Sequence, residues 1–250
     1  VNYVLNNQPA SGIAFTVTPN AQNTYDKIKT FIDKYNEIIG NINSKISEKK
    51  QYDYLPLTDE QKKEMSENEI KDWEAKAKQG IISRDKTLEN MLSNMRTAFY
   101  DKVEGAGVYL TDIGLSTSSD ISERGKIVID EGKLKKAIQN NPDKVANLFM
   151  KQSNTQYSPD SKSLVRYNEE GIFQRINDIF QDNFRTMRDS RGRKGILLEE
   201  AGIKGDFSEF HNTLTDELKD QDGKIADMIE KLAEKENQYY LNFSKLEKAI

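Results

Sequence analysis

The chain has 250 residues, 37 Lys and Arg against 41 Asp and Glu for a net charge of −4, a mean hydropathy of −0.80 and no cysteine. The missing thiols exclude disulfides, thiolate catalysis and cysteine-ligated metals. The charge balance lacks the basic footprint of a nucleic-acid binder, and no apolar run reaches the length of a membrane span, so neither nucleic acid nor membrane insertion is expected. Hydrophobic residues make up 36% and charged residues 31%, leaner in apolar residues than a compact globule of this size. An elongated helical shape resolves the mismatch, because a narrow apolar seam needs little hydrophobic surface.

Val1–Leu5 and Ile13–Thr18 are short β-branched and aromatic runs, with Ile13, Phe15 and Val17 alternating, a pattern that predicts a half-buried strand pair closed at Pro19-Asn20. Residues 1–20 read as the end of a β domain that begins before Val1. The next segment carries the clearest periodicity. Tyr25, Ile28, Ile32, Tyr35, Ile39, Ile42 and Ile46 recur at alternating steps of three and four, with Asn36 and Asn43 beside them. That spacing predicts a heptad seam on one long helix.

The middle of the chain, residues 51–205, reads as a helical head. Thr58 with Gln61 and Ser66 with Glu69 have capping-box spacing and open a polar helical stretch that Gly80 stops. A helix from about Arg84 to Val103 places Leu88, Met91, Leu92, Met95 and Phe99 inward. Tyr109–Thr117 and Gly125–Asp130 read as the two strands of a hairpin near 109–130. Asp130 caps the next helix, and Pro142 starts another at its first turn. Gln152–Glu170 is polar and reads as a surface loop. Gly171–Asp189 returns to helical spacing, and Ile196–Ile203 is a short apolar piece.

The far end repeats the heptad. Ile225, Ile229, Leu232, Tyr239, Phe243, Leu246 and Ile250 step by three, four or their sum, with Glu236 the polar member, and Leu214 and Leu218 extend the stripe backwards. Pairing 21–50 with 206–250 as antiparallel coiled-coil leg helices is the simplest way to bury both seams. The expected fold class is therefore mainly α: a long antiparallel coiled-coil or helical-bundle leg, a helical head and a small β-hairpin.

The search for chemistry returns little. His211 is the only histidine, and triads or histidine metal sites need more partners; it reads as a solvated residue at a helix start. Asp220-Gln221-Asp222-Gly223 looks like part of a calcium loop, but the flanking ligand positions hold Leu218 and Ile229. Arg185, Arg188, Arg191, Arg193 and Lys194 read as cations gathered at a helix C-terminus. Trp73 lies at helical spacing from Ile70 and Ala77 and reads as packing. No enzyme, metal or cofactor is expected.

Several phrases, taken in order, resemble the flagellar filament-capping family, also called hook-associated protein 2. They are Phe31-Ile32-Asp33-Lys34-Tyr35-Asn36, Leu55-Pro56-Leu57, Gly80-Ile81-Ile82-Ser83-Arg84-Asp85 and Met95-Arg96. Next come Leu110 to Leu115, Gly125-Lys126-Ile127, Asp130 to Leu134, Asn141 to Val145 with Leu148-Phe149, Gly171-Ile172, and the tail from Tyr239 to Ile250. Ile81-Ile82 departs conservatively from the leucines common in the family. The resemblance implies a coiled-coil leg made from both chain ends and a helical head with a hairpin. It also implies an extracellular place at the filament tip after export through the flagellar secretion apparatus. The implied role is structural: promoting flagellin insertion and polymerisation as a ring-like homo-oligomer, with adhesion in some members. The implied partners are the protein itself, flagellin, the hook–filament junction protein and an export chaperone. A non-flagellar coiled-coil adhesin or phage tail component is the alternative reading.

Overall fold

Helix α1 (Ala21–Ile46) starts where Asn20 accepts a hydrogen bond from the Asn23 amide and continues for 26 residues. It is followed by α2 (Asp59–Lys63), α3 (Glu67–Lys78), α4 (Lys86–Tyr100), β1 (Leu115–Thr117), β2 (Ile127–Ile129), α5 (Glu131–Asn140) and α6 (Pro142–Met150). The remaining helices are α7 (Leu164–Glu169), α8 (Ile172–Phe184), α9 (Ile196–Ala201) and α10 (Thr213–Glu247). This computed structural model describes residues 20–248. The strand pair expected over Val1–Pro19, and the last seam residue Ile250, lie outside the described residues.

The seam of α1 is buried as its period predicts. Tyr25, Ile28, Ile32, Tyr35, Ile39 and Ile46 are all in the core and Ile42 is half-buried. The surface they meet is the head: α1 packs on α4, α5 and β2. Among the described residues the apolar stripe of α1 is therefore taken up within the head, while that of α10 is exposed. The α1 face joins an aromatic cluster in which Phe31 meets Phe173 edge-on at 4.4 Å and Tyr35 meets Phe99 at 4.5 Å. Burial pushes the Tyr35 hydroxyl up to about 12, so it stays neutral.

Asn36, beside the seam, does structural work that the heptad does not show. Its Nδ2 donates to the Ile127 carbonyl and its Oδ1 accepts from the Ile127 amide, both at 2.8 Å. A side-chain amide thus completes the free edge of β2 as a neighbouring strand would. β1 and β2 pair antiparallel with Leu115 opposite Ile129. The strands are shorter than expected because Thr111–Ile113 form a 3₁₀ turn, braced by the Asp112 carboxylate accepting from the Tyr109 amide. Gly114 ends that turn at φ +84°, and a Cβ there would sit 2.5 Å from Lys133 Cβ.

The capping expectations hold locally: Asp130 accepts from the Lys133 amide, and Pro142 occupies the first turn of α6. Both capping boxes at α2 and α3 are formed. Those two helices bury no residue of their own, so residues 51–80 form an appendage on the head and not part of its core. Trp73 organises it, donating from Nε1 to the Leu55 carbonyl at 2.8 Å and meeting Tyr54 edge-on at 4.8 Å. Its base is tied to the head where the Arg84 amide donates to the Ile46 carbonyl.

The two seams therefore predict opposite outcomes for one chemistry. Ile32→Ala opens a cavity at a site 1% exposed and is expected to destabilise the fold by about 2–5 kcal/mol. Ile229→Ala, on the exposed stripe of α10, is expected to change it by no more than about 0.5 kcal/mol. Urea unfolding of dilute protein followed by circular dichroism measures both; equal losses would contradict this assignment of the two faces.

Candidate interaction surface

The root of α10 is a compact polar knot. Asn212 is buried and caps the helix, accepting from the Thr215 amide while its Nδ2 donates to the carbonyls of Ser208 and Glu209. Gly202, at φ +70°, lets the chain pass under it, since a Cβ would lie 2.2 Å from the Ser208 carbonyl oxygen. Lys194, also buried, reaches Asp206 at 2.6 Å. That ammonium, with the Ser208 amide, holds the Asp206 carboxyl far below its usual range. α9 packs on the first turns of α10.

Beyond Thr215 every described residue of α10 is exposed. Leu218, Ile225, Ile229, Leu232, Tyr239, Phe243 and Leu246 keep one face of the helix, with Leu232 and Phe243 each 67% exposed. From Leu214 to Leu246 the stripe runs for about 50 Å. Exposed apolar surface this continuous is unusual on a single chain, and its residues keep the heptad spacing found in helix pairs. The structure thus places six of the seven α1 seam residues in the head core, with Ile42 packed at its edge, and lines the described α10 seam residues along an exposed face.

The other residues weighed from sequence have structural explanations. His211 stands just before α10 with its ring stacked 4.1 Å from Phe207. Asp220–Gly223 lie inside α10, and among the described residues no group of His, Asp or Glu is arranged to hold a metal. The basic cluster builds the turn after α8. Arg185 donates to the carbonyls of Met187 and Arg193, while Asp189 accepts from the amides of Arg191 and Arg193.

A buried polar group between α4, α7 and α8 escaped the sequence reading. Arg175 is 1% exposed and donates to the carbonyls of Tyr167, Ala98, Asp101 and Lys102, so it caps the C-terminus of α4 from another helix. Its guanidinium lies 4.4 Å from the Tyr167 ring. Glu170 is equally buried and pairs with Arg166, which also holds Asp178. One signal was available: Arg175 falls three after Ile172 and four before Ile179, on the apolar face of its helix.

The comparison with known proteins decides the family. The model described as the C-terminus of flagellar hook-associated protein 2 matches residues 1–250. The chain belongs to this family. A flagellar hook-associated protein 2 of Halalkalibacterium halodurans is 32% identical over 243 residues, covering 94% of this chain and 44% of that protein. One from Thermotoga maritima is 26% identical over 258 residues, covering 100% of this chain and 35% of that protein. The chain therefore spans less than half the length of either relative. A solved structure titled as the D1-D2-D3 domains of the Escherichia coli flagellar cap protein FliD superposes with a TM-score of 0.41 and 17% identity. That superposition covers 66% of this chain and 33% of that one.

For this family member the buried arginine is a sensitive point. Arg175→Lys keeps the charge but loses the fork that reaches several carbonyls at once. It is expected to cost about 3 kcal/mol or more, since it leaves the carbonyl groups at the end of α4 buried without donors. Thermal unfolding of the head measures it; an unchanged midpoint would show that the cap is dispensable.

Proposed function

We propose that this chain is the C-terminal part of a structural capping protein at the tip of the bacterial flagellar filament, without catalytic activity. In this reading it is exported through the flagellar secretion apparatus and promotes the insertion and polymerisation of flagellin beneath it. The observation that carries the reading is the family match over all 250 residues, and the long exposed stripe of α10 is the surface such an assembly protein needs. The partners in this reading are other copies of the protein in a ring, flagellin, the hook–filament junction protein and an export chaperone. Adhesion is a second use of the protein in this reading.

Within that reading α10 is the leg and residues 21–205 carry the head. Because α1 spends its seam inside the head, the helix that covers α10 has to come from elsewhere. The relatives are more than twice as long as this chain, so a helix from the remainder of the full-length protein is the occupant we favour. The head then stays folded whether or not the leg is paired, since the two faces share no core residue.

Deleting the gene is expected to abolish filaments and release flagellin monomers into the medium, as seen by electron microscopy and blotting. The intact gene should restore filaments, whereas a gene carrying both Leu232→Glu and Phe243→Glu should leave few or none while the head keeps its wild-type unfolding midpoint. Normal filaments in the deletion strain would sink the capping role. Full rescue by the double variant would sink the role of the α10 stripe alone.

A further inference from the structure

Glu170 ends α7 at 2% exposure. Its Oε1 lies 2.6 Å from Arg166 Nη2, but its Oε2, fully buried, meets no donor. The charged groups around it come from two helices. Arg166 belongs to α7, while α8 contributes Asp178, against which the Glu170 carboxyl lies, and Arg175. Asp101 and the Tyr167 hydroxyl sit further off, hydrogen-bonded to each other. Glu169 turns away to accept from Ser153. Neither arginine serves Oε2. Arg166 gives Nε and Nη2 to Asp178 at 2.6 and 2.9 Å and Nη1 to the Thr155 carbonyl at 2.7 Å. The donors of Arg175 go to backbone carbonyls.

An ionised Glu170 would bury a lone oxygen without a donor beside a second carboxylate, and both features are costly. A protonated Glu170 turns the same oxygen into a donor that Asp178 can accept. We propose that the buried Glu170 carboxyl keeps its proton into the neutral range, offering it to Asp178, and that this proton acts as a pH-sensitive latch on the loop from Lys151 to Ser163.

The loop is tied to this group through Arg166 and to the residues beside it on α7 and α8. The Thr155 carbonyl accepts from Arg166, Ser153 donates to Glu169, Tyr157 donates to Asp182 at 2.8 Å, and the Gly171 amide donates to the Lys151 carbonyl. Together with α4 and α8 the loop walls a cleft of about 300 Å³ lined by Asn94, Thr97, Tyr157, Leu164, Asp178 and Ile179, among others. Burial, and after it the neighbouring Asp178, pushes the Glu170 carboxyl up to about 7. In an unfolded chain a glutamate titrates near 4.3, so the folded state binds the proton more tightly. The stabilisation is full below the unfolded value, shrinks as pH rises and is gone above about 7. Raising the pH therefore loosens the loop over its cleft.

Hydrogen exchange of the full-length protein, read by mass spectrometry on peptides covering 152–171 and corrected for intrinsic exchange, tests this. Protection is expected to fall on the order of tenfold between about pH 5.5 and 8 in the wild type. It should stay flat in Glu170→Gln, whose neutral amide stands in for the protonated acid. A flat wild type, or an equal slope in the variant, overturns the proposal. Should the variant not fold, the carboxyl carbon resonance of Glu170 in the wild type decides. A midpoint near 7 supports the latch, and one near the ordinary 4.3 removes it.

Discussion

The arrangement of this protein depends on where the apolar face of α1 is spent. Six of its side chains, from Tyr25 to Ile46, are buried against α4, α5 and β2. Each fully buried side chain of this kind is worth about 1.5–3 kcal/mol, so α1 is the pillar on which the hairpin and the helices of the head are hung. Asn36 fixes the register of that assembly by gripping both backbone groups of Ile127. A helix has one apolar stripe, and a stripe used in the head is not available elsewhere. The free face of α10 follows from that allocation.

Inside the head, polar groups complete what the apolar core begins. α4 ends against α8, where Arg175 takes up the carbonyls of Ala98, Asp101 and Lys102 at and just past its end. A buried arginine held in this way offsets its desolvation with hydrogen bonds and tolerates substitution poorly, because its donors are matched to fixed backbone oxygens. The adjoining Arg166, Asp178 and Glu170 group is less complete: Asp178 takes two donors and Glu170 one. The saturated group gives rigidity, while the unsaturated one gives sensitivity to protons. That difference in donor count separates a structural cap from a switch within a few ångströms of the same helix.

Element types and most helix ends could be read from the sequence, because caps, prolines and glycines act through local backbone chemistry. Asp130, Pro142, Ser66 and Thr58 all behave as their positions predict. Which faces meet was not legible. The period of Tyr25 to Ile46 tells which side of the helix is apolar, but Ile225 to Leu246 has the same period and the opposite fate. The stretch Gln152–Glu170 differs for a related reason: its polarity reads as solvent exposure, yet it contains α7 and the buried Glu170. A charged side chain hidden by a tertiary partner leaves no trace in composition. Only Arg175, set on an otherwise apolar face, left one.

The free stripe of α10 also sets how that helix is held. Propensity and end caps contribute little to a helix in water, and most helical stability in proteins comes from burying an amphipathic face. Beyond Thr215 α10 buries no face among the described residues, and it carries Gly223, which costs roughly 1 kcal/mol against alanine within a helix. Its fixed point is the Asn212 knot at one end, and in the proposed reading a partner stripe covers the rest. A leg whose stability is supplied by its partner can be separated without disturbing the head and re-formed when a partner helix is at hand. For a protein proposed to be threaded outward and assembled at a distant tip, that division places the reversible step in α10 and the durable fold in the head.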